Sequence, residues 1–114
     1  MRQSPLPVLH GTLEFLALRT LASGRELHGF EILDWIHGTT ADELSVEEGA
    51  LYPALHRMEK RGWLAARWSV SEKGRRAKYY RLKAAGRRAL ASEERKWARY
   101  VAAVERLGTQ GSGG

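Results

Sequence analysis

The stretch from Glu48 to Gly62 reads Glu-Gly-Ala-Leu-Tyr-Pro-Ala-Leu-His-Arg-Met-Glu-Lys-Arg-Gly, and no other segment constrains the fold as much. Leu51, Leu55 and Met58 fall at i, i+4 and i+7, which predicts one apolar stripe on a helix over residues 48–61. At about 100° per residue, Gly49, Pro53, His56, Arg57 and Lys60 lie on the opposite side. Gly62 supplies a stop, because glycine accepts the left-handed conformation that ends a helix. Pro53 removes one hydrogen bond inside this helix and should bend its early turns. Taken alone, the pattern also fits an ordinary helix with a solvated basic face. The residues that follow decide the matter.

Leu64, Ala66, Trp68 and Val70 alternate with Ala65, Arg67 and Ser69, the period of a half-buried strand over 63–70. A polar connection, Ser71-Glu-Lys-Gly-Arg-Arg76, leads to a second alternating run over 77–83. Gly74 sits where a hairpin turn needs a residue tolerant of positive φ. Trp68 and Tyr80 share the core phase of this hairpin and are expected to be buried. A helix leading into a basic hairpin is the second half of a winged helix-turn-helix.

Charge supports a polyanion as partner. The chain of 114 residues carries a formal charge of +6 and a pI near 10.1. Seven acidic residues and no Lys or Arg lie between Glu26 and Glu48. Twelve Lys or Arg and two Glu lie between Arg57 and Arg88. A basic block in the helix end, hairpin and next helix start is an electrostatic footprint for nucleic acid. An anionic membrane is the weaker alternative, since the block lacks the long apolar face of a membrane-lying helix. No apolar run reaches the roughly 20 residues of a membrane span, and the start of the chain lacks the apolar stretch of a signal peptide. A cytoplasmic location is expected.

Residues 1–7 read as a loose arm, with Pro5 and Pro7 opposing helix. Residues 9–22 read as a helix that is apolar nearly all round, through Leu9, Leu13, Phe15, Leu16, Leu18 and Leu21. Its second burying surface is either its own domain or a partner subunit. A further helix is expected over 27–37, closed by Gly38-Thr39-Thr40, with His28 packed or capping. Ser45 and Glu48 match a capping box, with a start at Glu47 as the other option. Residues 84–108 read as one long helix. Leu90, Trp97 and Val104 are spaced by seven, as are Tyr100 and Leu107. Such a stripe suits another copy of itself or the first helix of another subunit, with folding back onto its own domain as the alternative. Residues 109–114 read as a disordered Gly/Ser tail.

Enzymatic motifs do not emerge. No cysteine is present, and no pair among His10, His28, His37 and His56 has metal-ligand spacing. Glu47-Glu48 and Glu93-Glu94 are adjacent and project differently, so neither is an acid/base dyad. No cofactor, metal or catalytic residue is expected.

Four blocks in this order resemble the PadR family of transcriptional regulators. They are Gly11-Thr-Leu-Glu-Phe-Leu-Ala-Leu-Arg-Thr-Leu21, His28-Gly-Phe-Glu-Ile32, Gly49-Ala-Leu-Tyr-Pro-Ala-Leu-His-Arg-Met-Glu59 and Lys78-Tyr-Tyr-Arg-Leu-Lys-Ala-Ala-Gly86. The resemblance covers roughly residues 9–107. It implies a winged helix-turn-helix, a C-terminal dimerisation helix, and a homodimeric repressor of an inverted-repeat operator. In compact members it also implies a small aromatic or drug-like effector at the dimer interface, here near Trp97. Ala50 departs from the Ser or Thr common in the family.

The expected architecture is therefore mainly α: three helices and a two-stranded wing over 1–83, then a dimerisation helix over 84–108. Tyr52, Pro53, His56 and Arg57 are expected at the major groove of double-stranded DNA. Lys60, Lys73, Arg75, Arg76 and Lys78 are expected on phosphates, which position the protein without reading sequence. Leu9, Leu13, Leu16, Leu90, Trp97, Tyr100, Val101, Val104 and Leu107 are the expected dimer contacts. A protein–protein adaptor that uses the same scaffold, and an RNA-binding protein, are the competing classes.

Overall fold

Leu51, Leu55 and Met58 are fully buried, and the core gathers around the stripe they form. The computed structural model describes residues 6–7 and 11–113. In chain order it has β1 (Leu6–Pro7), α1 (Leu13–Thr20) with a 3-10 turn at Leu21–Ser23, β2 (Leu27–His28) and α2 (Gly29–Thr39). There follow β3 (Leu44–Ser45), α3 (Glu48–Lys60), β4 (Leu64–Val70), β5 (Arg76–Leu82) and α4 (Ala84–Gly113). Helices α1, α2 and α3 enclose Phe15, Leu18, Ile32, Leu33, Ile36 and Leu55. The sheet β2-β5-β4 closes the remaining side with Leu27, Leu64, Tyr80 and Leu82. Helices with a β-wing on one side make this a winged-helix fold.

Helix α3 ends as its glycine demands. Gly62 sits at φ +80°, its N–H donates to the Glu59 carbonyl at 3.0 Å, and Trp63 N–H donates to Met58 at 3.0 Å. Both bonds satisfy carbonyls that a helix end leaves open. The chain is thereby turned into β4 within three residues of the helix end (61–63). Antiparallel pairing then runs from Leu64 opposite Leu82 to Val70 opposite Arg76, and Gly74 takes φ +77° in the turn.

Several expectations are corrected. Leu27 and His28 are extended, not helical, and pair with Tyr80 and Tyr79. His28 caps α2: its Nδ1 accepts from Glu31 N–H at 3.4 Å, and its own N–H donates to the Glu31 carboxylate at 3.0 Å. That reciprocal cap starts the helix two residues late. The Ser45–Glu48 capping box does not form. Ser45 belongs to β3, Val46 N–H donates to His37 Nε2 at 3.1 Å, and Glu47 precedes the helix without a side-chain cap. Leu6 and Pro7 leave the expected loose arm to pair with Leu44 and Ser45. The rest of that arm, residues 1–5, lies outside the described residues. So does Leu9, expected at the dimer contact. Helix α4 continues past Gly108 to Gly113, so the expected tail is helical in backbone up to Gly114, which is outside the described residues. Gly/Ser composition carries no helix signal, and the backbone simply propagates the turns before it.

The root of α4 is built into the core. Gly86 is buried against the Trp63 carbonyl, where a Cβ would collide with backbone oxygen. Leu90 is enclosed by its own chain, so it does not serve the expected subunit-facing stripe. Beyond it α4 still meets α1 through Trp97 on Phe15 and Glu94 beside Arg19, and only then extends into solvent. The radius of gyration is 16.4 Å, against about 13 Å for a compact chain of this length, and the longest extent is 60 Å.

Candidate nucleic-acid interface

The outer side of α3 is exposed at Gly49, Tyr52, Pro53, His56, Arg57 and Lys60. Helical periodicity places the apolar and polar residues on opposite sides, so burial of Leu51, Leu55 and Met58 forces this face outward. Tyr52 rests against the start of α2. A Cβ on Gly29 would lie 2.5 Å from three atoms of the Tyr52 ring end, so the ring in this position rests on a glycine. Partial burial, then the nearby Glu48 carboxylate, pushes the Tyr52 hydroxyl above its ordinary pKa. It is therefore a neutral donor and acceptor near pH 7.

The cations do not share one role. Lys78 was expected on phosphate, but its ammonium lies 2.8 Å from Glu59 Oε1 on α3. That oxygen is enclosed and lacks a well-aligned hydrogen-bond donor, so the ammonium's charge is what satisfies it. The Glu59 contact raises the Lys78 pKa above its ordinary value. Lys78 is thus a strut between wing and helix. Arg57 points partly back to α1, where Glu14 Oε2 lies 3.6 Å from its Nε, and the same carboxylate takes Arg61 at 3.1 Å. Arg67 forms a two-pronged bond to Glu26, at 2.7 and 2.9 Å. That bond holds the Glu26 carboxyl below its ordinary pKa. Lys60, Lys73, Arg75 and Arg76 remain on the exposed surface of α3 and the wing.

Trp68 overturns an expectation. It occupies the core phase of β4, as the alternation predicts, yet is 56% exposed, and Val70 is 66% exposed. The hairpin outgrows the apolar core after the Ala66–Tyr80 pair, which leaves Trp68 and Val70 in solvent. The Arg76 guanidinium instead covers one face of the Trp68 ring at 4.9 Å. The excess of cations over the last two rungs was the available signal that this end of the hairpin is solvated.

On the other side of the molecule, Trp97 is 38% exposed, with Tyr100 stacked on it at 6.2 Å and Phe15 tilted against it at 6.1 Å. A cleft of about 390 Å³ opens beside it, lined by Gly11, Thr12, Phe15, Glu93, Lys96, Trp97 and Tyr100. The small residues Ala98 and Ala102 beside Trp97 on α4 do not line it. Tyr100, Val104 and Leu107 continue exposed along α4, with Val101 partly covered. Leu13 and Leu16 are packed against the core and only partly accessible. Among the described residues no group of three or more His, Asp or Glu could hold a metal ion, and no helix is long and apolar enough to cross a membrane.

A three-helix core with a basic wing beside an exposed helix defines a winged-helix transcriptional regulator. Residues 18–92 match the transcriptional regulator PadR-like family, and the chain belongs to it. A transcriptional regulator from Clostridium thermocellum has the same fold, with a TM-score of 0.77 and 24% identity over 86% of this chain and 91% of that one. A PadR family regulator from Eggerthella lenta is 29% identical, with a TM-score of 0.73 over 85% of this chain and 81% of its own. A PadR-like regulator from Bacillus cereus is 27% identical, with a TM-score of 0.72 over 87% and 93%.

Proposed function

We propose that this regulator is a homodimeric repressor of the cytoplasm that binds an inverted-repeat operator in double-stranded DNA. The observation that carries this reading is the exposed α3 face, which lies beside a wing whose tip exposes Lys73, Arg75 and Arg76. Residues 1–83 form the DNA-binding unit. Tyr52, Pro53, His56 and Arg57 meet the major groove, and Lys60 and the wing cations meet phosphate. Residues 84–108 join two copies through Trp97, Tyr100, Val101, Val104 and Leu107. Two-fold pairing of subunits matches two-fold half-sites about one helical turn apart. The cleft beside Trp97 supports a flat hydrophobic effector, which lowers operator affinity only by binding the DNA-free arrangement better.

Selection of the full chain against a randomised duplex pool tests the reading. Enrichment of an inverted repeat, bound by a species of twice 12.8 kDa, is the expected result. Weak binding without enrichment and with a flat salt dependence would assign the scaffold to protein association instead.

A further inference from the structure

The wing carries an apolar surface that the roles given to its cations do not use. Trp68 and Val70 stand two residues apart on one side of β4, more than half exposed. Their cross-strand partners on that side are Lys78 and Arg76. The side has a known direction, because Lys78 reaches Glu59 on α3 at 2.8 Å. The Trp68 surface therefore continues from the flank of α3, on the side of the wing that looks toward the helix, not away from it.

Charge complementarity selects the occupant. The wing tip offers Lys73, Arg75 and Arg76, the last of them over the indole, with Glu72 the one acidic residue between Ser71 and Arg76. A purely apolar protein surface would strand those cations out of water at a cost of several kcal/mol each. A duplex edge offers both components, since phosphates alternate with deoxyribose rings whose C–H surface is apolar. Apolar side chains at a minor groove are a known way to use that surface. Arg76 already lies over the indole at 4.9 Å, and Trp68 keeps 56% of its surface exposed, so a cation and an open apolar surface stand side by side.

We propose that Trp68, flanked by Val70, packs against the deoxyribose edge of the minor groove next to the major groove that α3 occupies. This rests on the DNA-binding reading above. It divides the wing's work into two parts: Arg76 and its neighbours supply salt-dependent attraction, and Trp68 supplies a contact that salt does not screen.

The test titrates a labelled duplex of about 30 base pairs, containing the selected sequence, with wild type, Trp68→Ala, Trp68→Phe and Arg76→Ala across a salt series. Trp68→Ala should weaken binding about tenfold at every salt concentration and leave the slope unchanged, the scale expected from burying roughly half an indole. Trp68→Phe should keep most of the affinity. Arg76→Ala should lower the slope by roughly one. Hydroxyl-radical cleavage should show sugars protected by wild type and exposed with Trp68→Ala. Trp68→Ala binding within twofold of wild type, or with the same protected sugars, would overturn the contact while leaving the DNA-binding reading intact. A Trp68→Ala protein that sediments as a different species would assign the surface to a subunit contact and overturn it too. Wild type that binds no duplex removes both readings at once.

Discussion

The wing and the far part of α4 are both regular elements that begin in the core and then run out of it. Both carry apolar side chains into solvent: Trp68 and Val70 on the wing, Tyr100, Val104 and Leu107 on the helix. What differs is the charge around them. The wing tip carries Lys73, Arg75 and Arg76, with Arg76 over its indole. The helix mixes signs, with Glu93, Glu94 and Glu105 among Arg95, Lys96, Arg99 and Arg106. Two copies of a mixed-charge stripe can face each other without net repulsion, whereas two copies of the wing tip cannot. Exposure alone does not name a partner; the charge beside it does.

The largest effect should come where both elements share an anchor. Gly86→Ala drives a methyl group into the Trp63 carbonyl, at the junction of β4 and α4. We expect a loss of about 3 kcal/mol, read as a lowered thermal midpoint. An unchanged midpoint would show that the two elements are not rigidly rooted together. Next, replacing both Val104 and Leu107 with Asp should convert the proposed dimer to a 12.8 kDa monomer in sedimentation, weakening self-association at least about 100-fold. Non-specific duplex binding by each monomer should survive, because the wing is untouched. A dimer that persists would break the contrast by removing the helix stripe from the interface.

Smaller effects sharpen the account of the wing. Glu59→Lys or Lys78→Glu alone should each cost about 1 kcal/mol, since the pair is roughly a third exposed. The exchanged pair should recover stability and operator preference. If Lys78 acts on phosphate instead, the exchange should weaken duplex binding further and reduce the salt slope. The smallest effect concerns Glu26. Its folded pKa is depressed by Arg67, so the pair's contribution is present above the ordinary carboxyl value of 4.5 and is lost as pH falls through the depressed one. Arg67→Ala should return the Glu26 titration, followed by NMR, to near 4.5. A titration that does not move would remove Arg67 as the cause.

Much of the front of the molecule was legible. Three apolar residues at helical spacing and one terminal glycine define α3 and the face it offers, because a 3.6-residue period admits one burial solution. Alternation also placed Trp68 on the correct side of β4. It could not say how far the core extends, since burial depends on what stands opposite. Two-residue strands such as Leu27–His28 have no period to read. Contacts between distant segments were equally silent: Glu26 meets Arg67 and Glu14 meets Arg61 across 41 and 47 residues. Lys78 looked like a phosphate ligand because nothing in its neighbours reveals that Glu59 is within reach.

The seat of Tyr52 on Gly29 bears on how this protein can change. A methyl group at position 29 would lie 2.5 Å from the ring end of Tyr52, so the two positions are coupled through that ring. The easier order of drift shortens Tyr52 first and places alanine at 29 second. The reverse order makes the ring end of Tyr52 swing off its seat on α2. Among descendants of this chain, a side chain at 29 should therefore be most frequent in lineages that have lost the aromatic ring at 52.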